Sequence, residues 1–229
     1  MSLRRAFHYT LLAKNPERGH LLFRLRRVAM FVRISRCGFL FLHPGEPGDL
    51  RWRKTFATPE FTMEIRGVAS PEEGETAARE LRDGGVQILD LCGGFDDELT
   101  ARIVAAVEGK IAVGARRPAA GSPPPPDAPR RYGFIFKGPG MVPEHCQETF
   151  EAPGYFLEVR GVSSVEEGEI AAREMGDRGV TILGLCGGFN DELTARIMAA
   201  VGGKVAVGTV RYAPEEAAKI SHLLGLPEA

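Results

Sequence analysis

A chain of 229 residues with 44% hydrophobic and 26% charged side chains and a formal net charge of -1 has the composition of an ordinary globular protein. Near-neutral charge excludes a global pull toward nucleic acid or membrane, so any charge argument has to be local. No run approaches the ~18 consecutive apolar residues that span a bilayer. Arg33 and Arg36 interrupt the most apolar N-terminal stretch, residues 28–42, and argue against a secretory signal. Cys37, Cys92, Cys146 and Cys186 form no Cys-x-x-Cys pair and have no histidine at zinc-ligand spacing. Neither a metal site nor a disulfide framework is indicated, and reduced thiols in a cytoplasmic protein are the expectation.

Residues 1–32 carry Arg4, Arg5, Lys14, Arg18, Arg24, Arg26 and Arg27 against one acid, Glu17. They read as a poorly ordered extension, with Met30 as an alternative beginning, or else as a basic segment that touches a membrane or nucleic acid. Beyond them the chain repeats itself. With Gly67 set against Gly161, residues 67–114 align with 161–208 without a gap, and roughly three-quarters of positions are identical. Upstream, GFLFLHPG from Gly38 matches GFIFKGPG from Gly133. The division is a first α/β repeat over 33–117, a proline-rich linker over 118–130 and a second repeat over 131–229. The linker's four consecutive prolines favour an extended, semi-rigid spacer.

In each repeat, residues 38–42 and 61–68 predict strands rich in aromatic and branched side chains. The segment between them is ambiguous; in the second copy 143–150 could form a short helix. Ser70 with Glu73, and Ser164 with Glu167, are spaced to cap a helix that Gly84 and Gly85 end in the first copy. VQILDLC, 86–92, predicts a central strand, Asp96 caps a second helix, and 111–115 forms a last strand. Residues 214–224 predict a terminal helix packing Ala217, Ile220 and Leu224. Alternating strands and helices imply right-handed crossovers. The expected fold is α/β: two tandem copies of a small, four-stranded, mainly parallel sheet flanked by helices, packed on each other as a covalent pseudo-dimer.

Ligands of open parallel sheets bind beyond the carboxyl ends of the strands, where helix N-termini offer backbone N–H groups. The loop Cys92-Gly93-Gly94-Phe95 occupies that position, and Cys186-Gly187-Gly188-Phe189 repeats it. A thiol beside a helix N-terminus can be a lowered-pKa nucleophile; it can equally be a small hydrophobe closing a core strand. Arg117 and Arg211, just past the last strands, could project over the same edge and hold a carboxylate or phosphate. Asp90 shares a strand face with Cys92, but its counterpart is Gly184; His145 has no histidine counterpart in the first copy. Neither Gly-Lys-Ser/Thr nor G-x-G-x-x-G is present, so no nucleotide cofactor is indicated.

The runs GFIFKGPG, Pro143-Glu144-His145, ILGLCGGFNDELTARI and AVGGKVAVGTVRY together resemble a bacterial and archaeal single-domain family of unknown function. In that family the residue two before the cysteine is usually glutamate, and a histidine follows the loop after the first strand. The resemblance therefore singles out Cys92, Cys186, Arg117, Arg211 and His145, with Asp90 as a shortened acid and Gly184 as a departure.

Three functions stand open on the sequence: a module binding a small anionic metabolite at the two Cys-Gly-Gly-Phe loops, a thiol enzyme using Cys186 with His145, Cys92 being a further catalytic candidate, and a non-catalytic structural or interaction module. A nucleic-acid partner is not expected, because the repeats lack a basic patch interleaved with aromatics. Packing of repeat on repeat is.

Overall fold

The computed structural model describes residues 34–127 and 130–226, so the basic extension lies outside it. The first repeat builds β1 (Arg36–Leu42), β2 (Arg53–Ala57), β3 (Thr62–Val68), α1 (Pro71–Asp83), β4 (Ile88–Leu91), α2 (Asp97–Ala106) and β5 (Ala112–Pro118). The second builds β6 (Tyr132–Lys137), β7 (Gln147–Ala152), β8 (Tyr155–Val162), α3 (Val165–Asp177), β9 (Ile182–Leu185), α4 (Asp191–Ala200) and β10 (Ala206–Tyr212), followed by α5 (Pro214–Leu224). Local chemistry accounts for the helix starts. Ser70 Oγ accepts from Glu73 N–H and the Glu73 carboxylate turns back to Ala69 N–H; Ser164 and Glu167 do the same at α3.

Each repeat holds five strands, one more than the sequence predicts. The addition is β2 or β7, whose sequences RKTFA and QETFEA bury one side chain each, Phe56 and Phe150. Such edge strands carry too little apolar signal to be read from pattern. Each pairs antiparallel with the strand that follows it, while β3-β1-β4-β5 and β8-β6-β9-β10 run parallel.

The expectation of two separate sheets is also corrected. One ten-stranded sheet runs β2-β3-β1-β4-β5-β10-β9-β6-β8-β7, because the last strands of the two repeats pair antiparallel. Arg116 opposes Val210, Gly114 opposes Tyr212 and Pro118 opposes Gly208. Exchanging the repeats maps this register onto itself, as in an isologous contact. The sheet then curls into a nearly closed barrel. Its two edges are bridged by side chains, Lys54 to Glu148 at 2.7 Å and Thr58 Oγ1 to the Pro139 carbonyl at 2.9 Å.

Helices lie on one face only, and curling explains why. Leu40, Leu89, Leu91, Val113 and Ala115 pack outward with Ala77, Ala78 and Leu81 of α1 and Ile103 of α2. The inner face is covered by the opposite repeat. Phe39 stacks on Phe134 with ring centroids 3.6 Å apart, Phe41 meets Phe150 at 5.0 Å and Phe56 meets Phe136 at 5.6 Å. All six rings are at most 4% exposed.

The β5–β10 ladder leaves the first residues of each strand unpaired, and both gaps are closed. On β5, Val113 N–H donates to the buried Glu216 carboxylate of α5 and the Ile111 carbonyl accepts from Lys219. On β10, the Val207 carbonyl accepts from Ala119 N–H and Val207 N–H donates to Ser122 Oγ, so the linker runs beside the sheet there. No bare edge is left at the junction.

Because the inner core is shared, Phe134→Ala should destabilise the whole barrel by about 3–5 kcal/mol. Urea denaturation followed by fluorescence and circular dichroism should give one coincident transition. Two separable transitions would show that the repeats do not depend on one core.

Candidate ligand-binding site

Side chains at 37, 39 and 41 of β1, 88 and 90 of β4, and 114 and 116 of β5 share the inner face, as do their counterparts in the second repeat. The shared core leaves two mouths. One combines the end of β4 and its Cys92-Gly93-Gly94 loop with the starts of β6, β8 and β9; the other combines the Cys186-Gly187-Gly188 loop with residues of the first repeat. Aligned sequences build them differently.

The second mouth is sealed from within. Asp90, 3% exposed, accepts from Tyr212 Oη at 2.5 Å and from Gly187 N–H at 3.2 Å. Cys186 is buried there and its sulfur accepts from Lys137 N–H at 3.3 Å. Gly114 is required for this: a Cβ on it would come 2.5 Å from the Tyr212 ring.

In the first mouth the aligned residues are Gly184 for Asp90 and Pro118 for Tyr212. A cavity of about 470 Å³ takes the place of that seal, lined by Phe41, Leu42, Tyr132, Phe134, Tyr155 and Leu157, and edged by Cys92, Gly93 and Gly94. Among the described residues two cations line it, Arg116 and, from the end of the linker, Arg130, and no carboxylate does. Arg116 Nη2 donates to the Ala206 carbonyl at 3.2 Å, while its Nε is buried with no acceptor. Among the described residues Arg116 has no ion pair, and burial lowers its pKa. A Cβ on Gly208 would come 2.6 Å from its guanidinium carbon, so this glycine makes the same room for Arg116 that Gly114 makes for Tyr212.

Several residues expected at the site lie elsewhere. Arg117 and Arg211 point to the helix side, where Arg117 pairs with Asp97 at 2.5 Å and Arg211 with Asp191. Strand parity is the reason: both follow the outward register of Val113 and Ala115, or Val207 and Thr209. Phe95 and Phe189 are buried beneath the helices. His145 is exposed in the turn before β7 and does not line the cavity, while Cys186 is buried. Residues the sequence reading passed over are Arg116, Arg130, Tyr132, Tyr155 and Tyr212. Parity was an available signal for Arg116, since its place on the strand matches Gly114 and not Ala115.

Burial works against activation of the two loop thiols. Burial pushes Cys186 up to about 12, the Asp90 charge adding to the rise, and backbone donors offset it only in part. Burial also raises Cys92, against smaller opposing pulls from N–H groups and Arg116. The helix N-terminus does not outweigh desolvation in either loop. A surface groove of about 580 Å³ beneath α5 is larger, but its cations Arg82, Lys110 and Lys219 are already paired with carboxylates.

A family model matches residues 35–120 and again residues 130–225. The chain belongs to the family of unknown function DUF6506. The two DUF6506 units thus coincide with the two five-stranded halves of the barrel. No curated protein matches the chain in sequence. Among solved structures it is similar to unliganded arylmalonate decarboxylase (11% identity, 84% of this chain and 93% of that one, TM-score 0.27). An NtrC family transcriptional regulator from Clostridium acetobutylicum is similar at 14% identity, with 85% and 97% covered and a TM-score of 0.28. A solute-binding protein of an ABC transporter system from Conexibacter woesei is similar at 12%, with 76% and 69% covered and a TM-score of 0.25. Scores this low carry no argument about what the DUF6506 pair does.

Burial raises the Asp90 carboxyl from 3.8 to about 6, and hydrogen bonds from Tyr212 and Gly187 pull against that rise. The folded protein therefore holds this proton more tightly than the unfolded chain. The resulting stabilisation, at most about 3 kcal/mol, is fully present below about pH 4 and is lost as pH rises through about 6. Asp90→Asn should remove that slope: its stability relative to wild type, measured by urea denaturation, should improve between pH 4 and pH 7. A constant difference across that range would exclude Asp90 as the titrating group.

Proposed function

We propose that this protein binds a small organic anion in the first mouth, with Arg116 as the counter-charge. The observation that carries the reading is a largely buried guanidinium, unpaired among the described residues, on the wall of a cavity whose side chains are mostly aromatic and aliphatic. A buried charge without a partner costs several kcal/mol, and an anionic ligand is the partner that would offset it. Arg130 at the rim, held by the Pro126 carbonyl, adds positive potential along the approach. The aromatic walls would take an apolar ligand body; the cavity falls in the size range of small-molecule sites. The second mouth, filled by Asp90 and Tyr212, is not a ligand site on this reading.

Isothermal titration against a panel of carboxylates and phosphates tests it. Arg116→Gln should weaken binding of any positive by about ten- to a hundredfold, the worth of a charge-assisted hydrogen bond. The same variant should leave the melting temperature of the ligand-free protein equal or higher, because the charge it removes has no partner to lose. Absence of binding across the panel, or equal binding by the variant, would overturn the proposal.

A further inference from the structure

The two Cys-Gly-Gly loops of this chain report on each other. The loop at 186–188 already holds a carboxylate: Gly187 N–H donates to one oxygen of Asp90, and Tyr212 donates to the other. In the first mouth the equivalent donor is Gly93 N–H, which has no partner among the described residues. Gly184, aligned with Asp90, brings no side chain to it. Arg116 does reach this loop, since a Cβ on Gly93 would stand 3.3 Å from Arg116 Nη1. The donor set therefore matches that of the second mouth, with a guanidinium in place of the tyrosine hydroxyl.

We infer that the anionic group bound in the first mouth is a carboxylate, seated on Gly93 N–H and Arg116 as Asp90 is seated on Gly187 N–H and Tyr212. This rests on the reading that the mouth binds an organic anion, and it narrows the ligand to a carboxylic acid with an apolar body. A planar two-oxygen group is what the occupied loop accommodates; a tetrahedral phosphate or sulfonate brings a third oxygen toward Phe134, Tyr155 and Leu157, which line the same cavity and leave it without a charged partner. A second negative charge on the body would meet the same apolar walls. Arg130 is the one further cation among the lining residues, and it is exposed at the rim.

Gly184→Asp tests the inference by giving the first mouth the internal carboxylate of the second. A Cβ at 184 would meet Phe134, Arg116 and the Gly133 carbonyl no closer than 3.4 Å, so a side chain fits and faces Arg116. Titrations of the full chain with benzoate, phenyl phosphate and benzenesulfonate should give benzoate an advantage of about tenfold or more. Gly184→Asp should weaken benzoate by about a hundredfold, and Gly184→Asn by less, since only the former supplies a charge to Arg116. Equal binding of the three probes, undiminished in Gly184→Asp, overturns the carboxylate seat while leaving an anion site standing. No binding of any probe to wild type overturns both readings. Should Gly184→Asp fail to fold, Asp90→Ala gives an independent test. Formate should raise its melting temperature more than equal chloride does, by occupying the place between Gly187 and Tyr212; no difference from chloride overturns the inference.

Discussion

The antiparallel ladder between β5 and β10 is the contact from which the rest of the architecture follows. Because its register maps onto itself when the repeats are exchanged, the two half-sheets join edge to edge with their strand directions opposed. Each half can then cover the inner face of the other, and Phe39, Phe41 and Phe56 find Phe134, Phe150 and Phe136. A unit of about 80 residues is near the limit of what can bury its own core. Pooling two inner faces removes that limit, and the proline-rich linker and α5 close the strand ends that the ladder leaves open.

Duplication on this plan produces two mouths that start alike, and substitutions on the inner face separate them. Asp90 against Gly184, Tyr212 against Pro118, Arg116 against Val210 and Cys37 against Tyr132 are among them. Tyr212 with Asp90 fills one mouth with a satisfied polar contact. Glycine and proline at the aligned positions withhold that filling from the other, and arginine introduces a charge beside it. The Cys-Gly-Gly-Phe sequence is the same in both loops, so the difference in accessibility comes from the strands beneath them.

The elements with strong local signals were legible in the sequence: the serine caps of α1 and α3, the continuous apolar run of β4 and the terminal helix over 214–224. What escaped has a physical reason in each case. The strands β2 and β7 bury one phenylalanine apiece, too little for a period-two pattern. The single sheet depends on a pairing between residues about 94 positions apart, for which no local pattern exists. Arg117 and Arg116 differ by one residue, and in a strand one residue selects the opposite face. Repetition drew the reading to Arg117 and Arg211 because they match; the inward guanidinium belongs to the position that does not repeat.

Two complementary charges stand on neighbouring strands and still do not meet. Asp90 pairs in register with Gly114, and Arg116 lies two residues farther along the same inner face of β5. Asp90 turns to one mouth and Arg116 to the other. Had they formed an ion pair, the arginine would hold the carboxyl below its ordinary value; instead burial raises it to about 6, and burial lowers Arg116. Asp90 at least gains a hydroxyl and an amide donor in return. Arg116 gains one carbonyl and leaves Nε bare, an arrangement that favours an outside anion because Asp90, on the adjacent strand, is committed to Tyr212 and Gly187.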